Sequence, residues 1–300
     1  MGILLGLAAA LCWGLADFFA RSITQIIGTY RTVFYMQFTG LAGLTIYMAF
    51  TGDLTHLGHG TTWQAWMWAL VVAGLSTLNS LALYRAFEIG VLTIVSPIVA
   101  SYAALTVLLS FLSGETISQA RGIGIGAAIV GVVLAATSFA PPEQTKTETA
   151  EMGARGTLRK GKPSRGVGWA LVASLGFGII FWIWGFQVTP VLGGIVPVWI
   201  IRIVEPGLLA LCAIPARQSL RFPPKQVWGL LLLMGIVDTL GYITFAIGLT
   251  TDQVAIVSVL GSLFSAVTVM LAWLFLHEKL HWSQWLGISI IFIGVVFVKL

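Results

Sequence analysis

The stretch PPEQTKTETAEMGARGTLRKGKPSRG, from Pro141 to Gly166, divides the sequence into two strongly apolar halves. It is rich in charged residues, Gly, Pro and Thr, so it has too little apolar surface to offset the entropy cost of ordering. We therefore interpret residues 140–166 as a flexible polar linker. Residues 1–139 and 167–300 are then separate units, and the relation between them decides the fold.

The composition of both halves indicates a membrane protein. Of the 300 residues, 58% are hydrophobic and only 9% are charged, and the mean hydropathy is +0.95. Soluble domains carry about 25% charged residues, which cover their surface in water. A chain with so few charges must face lipid over most of its surface, so the bilayer is its expected solvent.

Each half contains five apolar runs of about the 20 residues that a helix needs to cross the hydrocarbon core. They are residues 3–20, 33–50, 64–83, 91–112 and 122–139 in the first half, and 167–187, 195–214, 227–249, 254–276 and 283–299 in the second. These runs are apolar on both faces, whereas barrel strands alternate. We predict an all-α integral membrane protein with ten transmembrane helices.

The two halves also resemble each other in sequence. An offset of 163 places Glu115 on Glu278, and it aligns the glycines and branched residues of the two last runs, such as Gly124 with Gly287. A copied unit with an odd number of crossings must enter the membrane upside down. We therefore predict two inverted five-helix repeats, an architecture that recurs in transporters because two exchangeable halves give two mirror-related open states.

The positive charge of the chain is a topology signal. The net charge is +5 and the pI is about 9.4, but the bases lie in short loops, and no basic face is long enough for nucleic acid. Of the 16 Lys and Arg residues, Arg121 and Lys299 lie on one side, Arg202 lies within a span, and the others fall on the opposite side. The excess of bases marks the cytoplasmic side. We predict a multi-pass plasma membrane protein with a cytoplasmic linker and both termini outside.

Two related stretches carry a family resemblance. They are ALYRAFEIGVLTIVSPIVASYAALTVLLSFLSGETIS at 82–118 and FAIGLTTDQVAIVSVLGSLFSAVTVMLAWLFLHEKL at 245–280. Each stretch contains the end of a helix, a tight turn, a helix of small residues and then an acidic motif. Trp13-Gly14 and Phe177-Gly178 are the matching starts of the halves. In these features the chain resembles the drug/metabolite transporter superfamily, in particular its EamA-like branch.

The resemblance implies ten helices around a central cavity, with the fifth helix of each half at the periphery. It also implies transport of amino acids, metabolites, sugar conjugates or amphipathic compounds. The second half has Val259 where the first has Pro97, so we expect the two central helices to bend differently.

Asp238 is the strongest candidate for a functional residue. It lies near the middle of the eighth span, and the equivalent part of the third span contains Asn79. A charge at the bilayer centre costs about 2.5–3.5 kcal/mol on insertion scales, so it usually lines a cavity or has a partner. A polar residue at this depth in both copies predicts a solute site at the pseudo-symmetry axis. The alternative is a structural role, in which the side chain bonds to a neighbouring helix.

Two further acids lie within spans. Glu205 follows Arg202 by three residues, on the same helix face, so the two side chains either neutralise each other or contact a solute. Asp17 lies near the end of the first span, within reach of Arg21. A desolvated Asp238 or Glu205 can exchange a proton against a solute, so protons are a hypothetical coupling ion.

Aromatic and hydroxyl side chains complete the set of candidates. Aromatic rings can hold a cationic or aromatic solute by cation–π contact and stacking, although packing in the core or against lipid is the alternative for each. The candidates are Trp13, Tyr102, Trp182, Trp184 and Tyr242, together with Ser258 on a face of small residues in the ninth span.

Other chemistries have no support in the sequence. The histidines His56, His59, His277 and His281 fall in loops without further metal ligands, and no nucleophile–base arrangement, cofactor motif or phosphate-binding loop occurs. The function predicted is secondary transport of a small solute (an amino acid, an amine or another metabolite, including drug-like compounds) by alternating access. The alternatives are a membrane-embedded enzyme or a non-transporting interaction protein. A monomer and a homodimer are both compatible with the sequence.

Overall fold

A computed structural model describes residues 1–51, 62–136, 166–278 and 282–299. The predicted linker lies outside these residues except for Gly166, and so do His56, His59 and His281. The division of the chain at residues 139 and 167 therefore stays a prediction.

The described residues form helices throughout, with no strand among them. The first half contains α1 Gly2–Ile27, α2 Thr29–Thr51, α3 Trp63–Ile89, α4 Leu92–Ala100, α5 Tyr102–Leu112 and α6 Gln119–Ala136. The second half contains α7 Val167–Ile183, a π-helical turn Trp184–Val188, α8 Thr189–Leu192, α9 Ile195–Ala213, α10 Lys225–Thr251, α11 Val254–Ser262, α12 Phe264–Phe275 and α13 Trp282–Lys299.

The predicted all-α membrane fold is confirmed. Among the described residues, eight helical segments are long and apolar enough to cross a membrane, counting α4–α5, α7–α8 and α11–α12 as one segment each. The 18-residue helices α6 and α13 occupy the two remaining predicted spans. These two helices pack closely on each other, and Gly294 allows the contact because a side chain there would meet the backbone of Gly124 and Ala128.

The packing of α1 fixes its direction relative to the second half. Gly2 lies against Asp252 and Trp13 lies against Gly241, so α1 runs antiparallel to α10. The start of α1 lies near the start of α11, because Gly2 contacts Asp252. Further along α1, the ring of Phe18 lies 5.7 Å from that of Phe275 at the end of α12, so α1 runs parallel to α11–α12.

The packing of α7 is the counterpart of this arrangement. Asn79 donates to the carbonyl of Ala173, and Gly166 lies against Ala86, so α7 runs antiparallel to α3. Along α4–α5, Ser101 contacts Ser174 and Ser113 contacts Trp182, so α7 runs parallel to that segment.

One pair of hydrogen bonds shows the symmetry directly. The hydroxyl of Thr268 donates to the carbonyl of Gly14 at 3.2 Å, and the hydroxyl of Thr106 donates to the carbonyl of Gly178 at 3.1 Å. Tyr102, at the start of α5, contacts Ser258 within α11, whereas Glu115, just after α5, contacts Val254 at the start of α11, so α5 and α11 are antiparallel. Since α1 runs parallel to α11–α12 and α7 runs parallel to α4–α5, α1 and α7 run in opposite directions. The two halves are inverted repeats related by a pseudo-two-fold axis.

The central helices of the two halves break alike, contrary to the expectation drawn from Pro97. Ser101 separates α4 from α5 with φ −64° and ψ −6°, and Leu263 separates α11 from α12 with φ −65° and ψ −5°. Both breaks are the same tight turn at equivalent positions, so the symmetric packing and not the proline sets the bend. Pro97 removes the donor for the carbonyl of Thr93, which instead accepts from the side chain of Gln284 at 3.0 Å.

The acidic residues shared by the halves cap the helix starts of the opposite half. The carboxylate of Glu115 accepts from the backbone N–H of Val254 at 2.7 Å and of Ala255 at 3.1 Å, at the start of α11. Glu278 accepts from the N–H of Thr93 at 3.0 Å, in the first turn of α4. A helix start has unpaired N–H groups and a partial positive charge. Each repeat therefore holds the other through one carboxylate.

We predict that Glu115→Ala and Glu278→Ala each lower the unfolding free energy by about 1 kcal/mol, because each leaves helix N–H groups without an acceptor. Thermal unfolding of the purified protein in detergent measures the effect. Glu→Gln at the same positions is the matched control, and it should recover about half of the loss because the amide oxygen still accepts. Equal stability of the Ala variants and the unaltered protein would contradict the capping role.

Candidate functional site

A cavity lies inside the bundle, lined by residues of α1 to α5 from the first half and of α7, α10 and α12 from the second. Its free volume is about 40 Å³. Since a single water needs about 10–15 Å³ of such space, the cavity holds only a few water-sized groups. Its wall combines a carboxylate and amide cluster with aromatic rings. The polar lining residues are Asp17, Gln37, Ser80, Tyr84 and Asp238.

A buried guanidinium organises the polar side of the cavity. Arg202 on α9 is completely buried and donates to Asp238 on α10 at 2.5 Å. It also donates to the side-chain oxygen of Gln37 on α2, and the Gln37 amide donates in turn to Glu205. Ser80 on α3 lies 3.5 Å from the same Glu205 oxygen. One network therefore joins four helices of both repeats at the pseudo-two-fold axis.

Mutual neutralisation of Arg202 and Glu205 was one of two alternatives, and no direct salt bridge joins them among the described residues. Residues three apart share a helix face, but the Arg202 guanidinium reaches across to Asp238, and Gln37 bridges it to Glu205. A bridging amide satisfies both charged groups because it can donate and accept at once.

Glycine at position 40 makes room for the guanidinium. A side chain on Gly40 would approach Arg202 Nε to 3.1 Å and Thr239 Oγ1 to 2.4 Å. On its other side, the Arg202 guanidinium lies over the ring of Tyr242, with 4.9 Å between Cζ and the ring centroid. The Arg202 charge is therefore held by a carboxylate, an amide and an aromatic face before any solute arrives.

Asp17 has a different environment from Asp238. Its side chain lines the cavity and is 6% exposed, and among the described residues it makes no hydrogen bond or ion pair. The expected neighbour Arg21 is turned away, because its guanidinium donates to the carbonyls of Phe87 and Glu88 at the end of α3. Asp17 is thus a buried carboxylate that faces the cavity without a protein partner.

Aromatic rings form much of the rest of the cavity wall. They are Trp13, Tyr102, Phe177, Phe181, Tyr242 and Phe264. Trp13 stacks on Phe181 with 5.6 Å between centroids and meets the edge of Tyr242 at 5.3 Å. Gly241 permits this position, since a side chain there would meet the Trp13 indole at 2.7 Å. The ring faces are packed tightly, and within this wall the ring of Tyr242 also faces Arg202.

Of the ten candidates named from the sequence, five line this cavity and the other five do not; those that line it are Trp13, Asp17, Tyr102, Asp238 and Tyr242. Glu205 lies behind it, bonded to Gln37 and Ser80.

The side-chain amide of Asn79 on α3 donates to the carbonyl of Ala173 on α7 at 3.0 Å. Asn79 therefore has a structural role between two helices. The carbonyl of Ser258 accepts from Tyr102, and Ser258 itself is buried. Trp182 donates to Ser113 at 2.8 Å, away from the cavity.

Sequence reasoning passed over three polar residues that the structure brings to the cavity, namely Gln37, Ser80 and Tyr84. Gln37 is the most informative of them, because an amide in the middle of an apolar span requires partners of its own. Its position in the second span, equivalent to the span of Arg202 and Glu205, is the signal that points to it.

Comparisons with known proteins identify the family. The profile of the EamA-like transporter family matches this chain twice, over residues 1–137 and 164–300. The chain belongs to the EamA-like transporter family, and this confirms the resemblance to the drug/metabolite transporter superfamily.

The structural comparison agrees on the fold. A crystal structure titled only as that of a protein is similar with a TM-score of 0.72 and 17% identity, and the match covers 100% of this chain and 98% of the other. At this identity the likeness concerns the fold alone. No protein with a curated description matches the sequence.

We predict that breaking the central ion pair destabilises the protein more than replacing it. Arg202→Met leaves Asp238 buried without a partner, and such losses cost about 3–5 kcal/mol. The double variant Arg202→Met/Asp238→Leu removes both charges and should recover at least half of that loss. Thermal unfolding of the two single variants and the double variant measures the coupling, and additive losses would contradict the pairing.

Proposed function

We propose that the protein is a secondary transporter, which moves a small solute across the plasma membrane by alternating access. The solute is an amino acid, an amine or another small metabolite, including drug-like compounds. The observation that carries the proposal is the position of the polar cavity, which lies on the pseudo-two-fold axis between inverted repeats. Inverted repeats characteristically place the solute site at their interface near the middle of the bilayer.

The size of the cavity supports a mechanism with moving helices. Small-molecule sites usually enclose about 300–1,000 Å³, whereas the free volume here is about 40 Å³. A whole metabolite would require the helices to move apart. The equivalent turns at Ser101 and Leu263 are suitable hinges, because a rotation there changes one end of each central segment and leaves the other end in place.

The described charges support the proposed orientation. Arg31 donates to the carbonyls of Arg221 and Phe222, and Arg21 reaches the end of α3, so these bases gather at one end of the bundle. Arg121 lies at the other end, 3.8 Å from Asp252. We assign the basic end to the cytoplasm.

The transport proposal predicts that the cavity becomes accessible to water from both sides. In a background with Cys12→Ala and Cys212→Ala, a cysteine replacing Ser80 should react with a charged thiol reagent added to either face of oriented proteoliposomes. A cysteine replacing Leu175, which is 60% exposed on the outer surface of α7, is the matched control and should stay unreactive in lipid. Reaction of the Ser80 variant from one face only would contradict alternating access.

Glu205 is the carboxylate we propose for proton coupling. Asp238 is neutralised by Arg202, while the Oε1 atom of Glu205 is buried with no hydrogen-bond partner among the described residues. A proton on Oε1 would remove the buried charge while Oε2 keeps its contacts with Gln37 and Ser80. Binding and release of this proton links the network of Arg202 to the pH on each side.

We expect Glu205→Gln to abolish solute accumulation driven by a pH gradient and to preserve counterflow, because the amide keeps the shape of the side chain and cannot exchange a proton. Uptake into proteoliposomes with and without an imposed gradient separates the two activities. The control is Asp252→Asn, which changes an acid at the end of the bundle and should leave the gradient response intact. Gradient-driven uptake by Glu205→Gln would overturn this assignment.

A further inference from the structure

The charges around the cavity do not balance. Asp238 and Arg202 form an ion pair at 2.5 Å, and Gln37 and Ser80 contact Glu205. Asp17 alone lines the cavity as a carboxylate without a donor or a cation among the described residues. An ionised carboxylate in apolar surroundings is costly unless a counter-charge faces it. A proton or a cationic group at Asp17 would remove this cost, and the cavity gives a cationic group access to the carboxylate.

Aromatic rings make up much of the cavity wall. The ring of Trp13 lies 5.6 Å from that of Phe181 and 5.3 Å from that of Tyr242, and the ring of Tyr102 lies 4.9 Å from Phe181. Aromatic faces carry negative potential and attract ammonium groups, most strongly where water is excluded. Such rings beside an unpaired carboxylate form a site for a positively charged group with apolar substituents.

The arrangement disfavours an anionic headgroup. A carboxylate ligand would need Arg202, but that guanidinium is completely buried and already faces Asp238, Gln37 and the ring of Tyr242. An anion would also meet the unpaired charge of Asp17. The free volume of about 40 Å³ matches a small ammonium headgroup and not a whole metabolite.

From this geometry we propose that the solute is an organic monocation whose ammonium headgroup binds between Asp17 and the aromatic rings of Trp13 and Tyr102. This inference rests on the proposed transport function and names its substrate class. In this arrangement Asp17 contacts the solute directly, while Asp238 and Arg202 position the wall of the cavity.

Three ligands of similar shape and different charge test the proposal on the unaltered protein. Benzylammonium, benzyl alcohol and benzoate are titrated against the purified protein in detergent, with isothermal calorimetry as the readout. We expect benzylammonium to bind at least about tenfold more tightly than the other two, since a charge-assisted contact is lost with either of them. Equal binding of the alcohol, tighter binding of benzoate, or no binding of the amine would overturn the proposal.

Variants then locate the site. Asp17→Asn should weaken benzylammonium binding at least about tenfold, and Trp13→Leu should weaken it several-fold, while Asp252→Asn is the matched control with unchanged affinity. Thermal unfolding of each variant verifies that it is folded. If Asp17→Asn does not fold, the Trp13→Leu variant and the charge series decide the question. Unchanged binding by a folded Asp17→Asn variant would contradict the assignment.

The solute class and the transport function fail in different ways. Accessibility of a cysteine at position 80 from both faces needs no solute, so it tests alternating access independently. Two-sided accessibility without benzylammonium binding would leave the transporter in place and reject the monocation. One-sided accessibility with charge-selective binding would retain the cation site and reject transport.

Discussion

An odd number of crossings in a repeated unit is the constraint on which the rest of this structure depends. Five spans reverse the direction of the chain, so the second copy enters the membrane from the opposite side. The only symmetry that then superposes the copies is a two-fold axis in the membrane plane. The paired bonds of Thr106 with Gly178 and of Thr268 with Gly14 show this symmetry at the level of single atoms.

Lipid as a solvent explains what is placed on that axis. The hydrocarbon core offers no hydrogen bonds, so each polar group within the spans must find a partner inside the protein. The Arg202 network satisfies most of its members with side chains from four helices. The Asp17 carboxylate has no hydrogen bond or ion pair among the described residues and faces the cavity, which is why we propose that it binds the solute. The same region therefore provides both a hydrogen-bond network between the repeats and the proposed site.

Much of the fold could be predicted from the sequence, because span length, apolar composition and the repeat are local or periodic signals. The equivalence of Glu115 and Glu278 could be seen in the sequence. Their role in capping α11 and α4 could not, because each carboxylate bonds to a helix of the opposite half. The prediction from Pro97 was wrong because it treated the bend as a property of one residue. The turns at Ser101 and Leu263 have nearly the same backbone angles, although only the first half has a proline nearby. What the two turns share is the packing around them.

The site was less predictable because partner choice across helices leaves no local pattern. Spacing correctly placed Arg202 and Glu205 on one face, yet the guanidinium bonds to Asp238, which is distant in sequence. Asn79 and Trp182 have the residue types of a solute site, but their side chains serve contacts between helices. In contrast, Asp17 was expected near the interface beside Arg21, and the rotation of α1 turns it towards the cavity.

The most direct test of this account is the membrane sidedness of equivalent positions in the two repeats. Gln119 and Trp282 begin the last helix of each half, and both are exposed. Single cysteines at these positions, in a background without Cys12 and Cys212, are exposed to an impermeant thiol reagent in intact cells. Inverted repeats predict that the Gln119→Cys variant is labelled from outside and that the Trp282→Cys variant is labelled only after permeabilisation. Labelling of both from the same compartment would contradict the inversion.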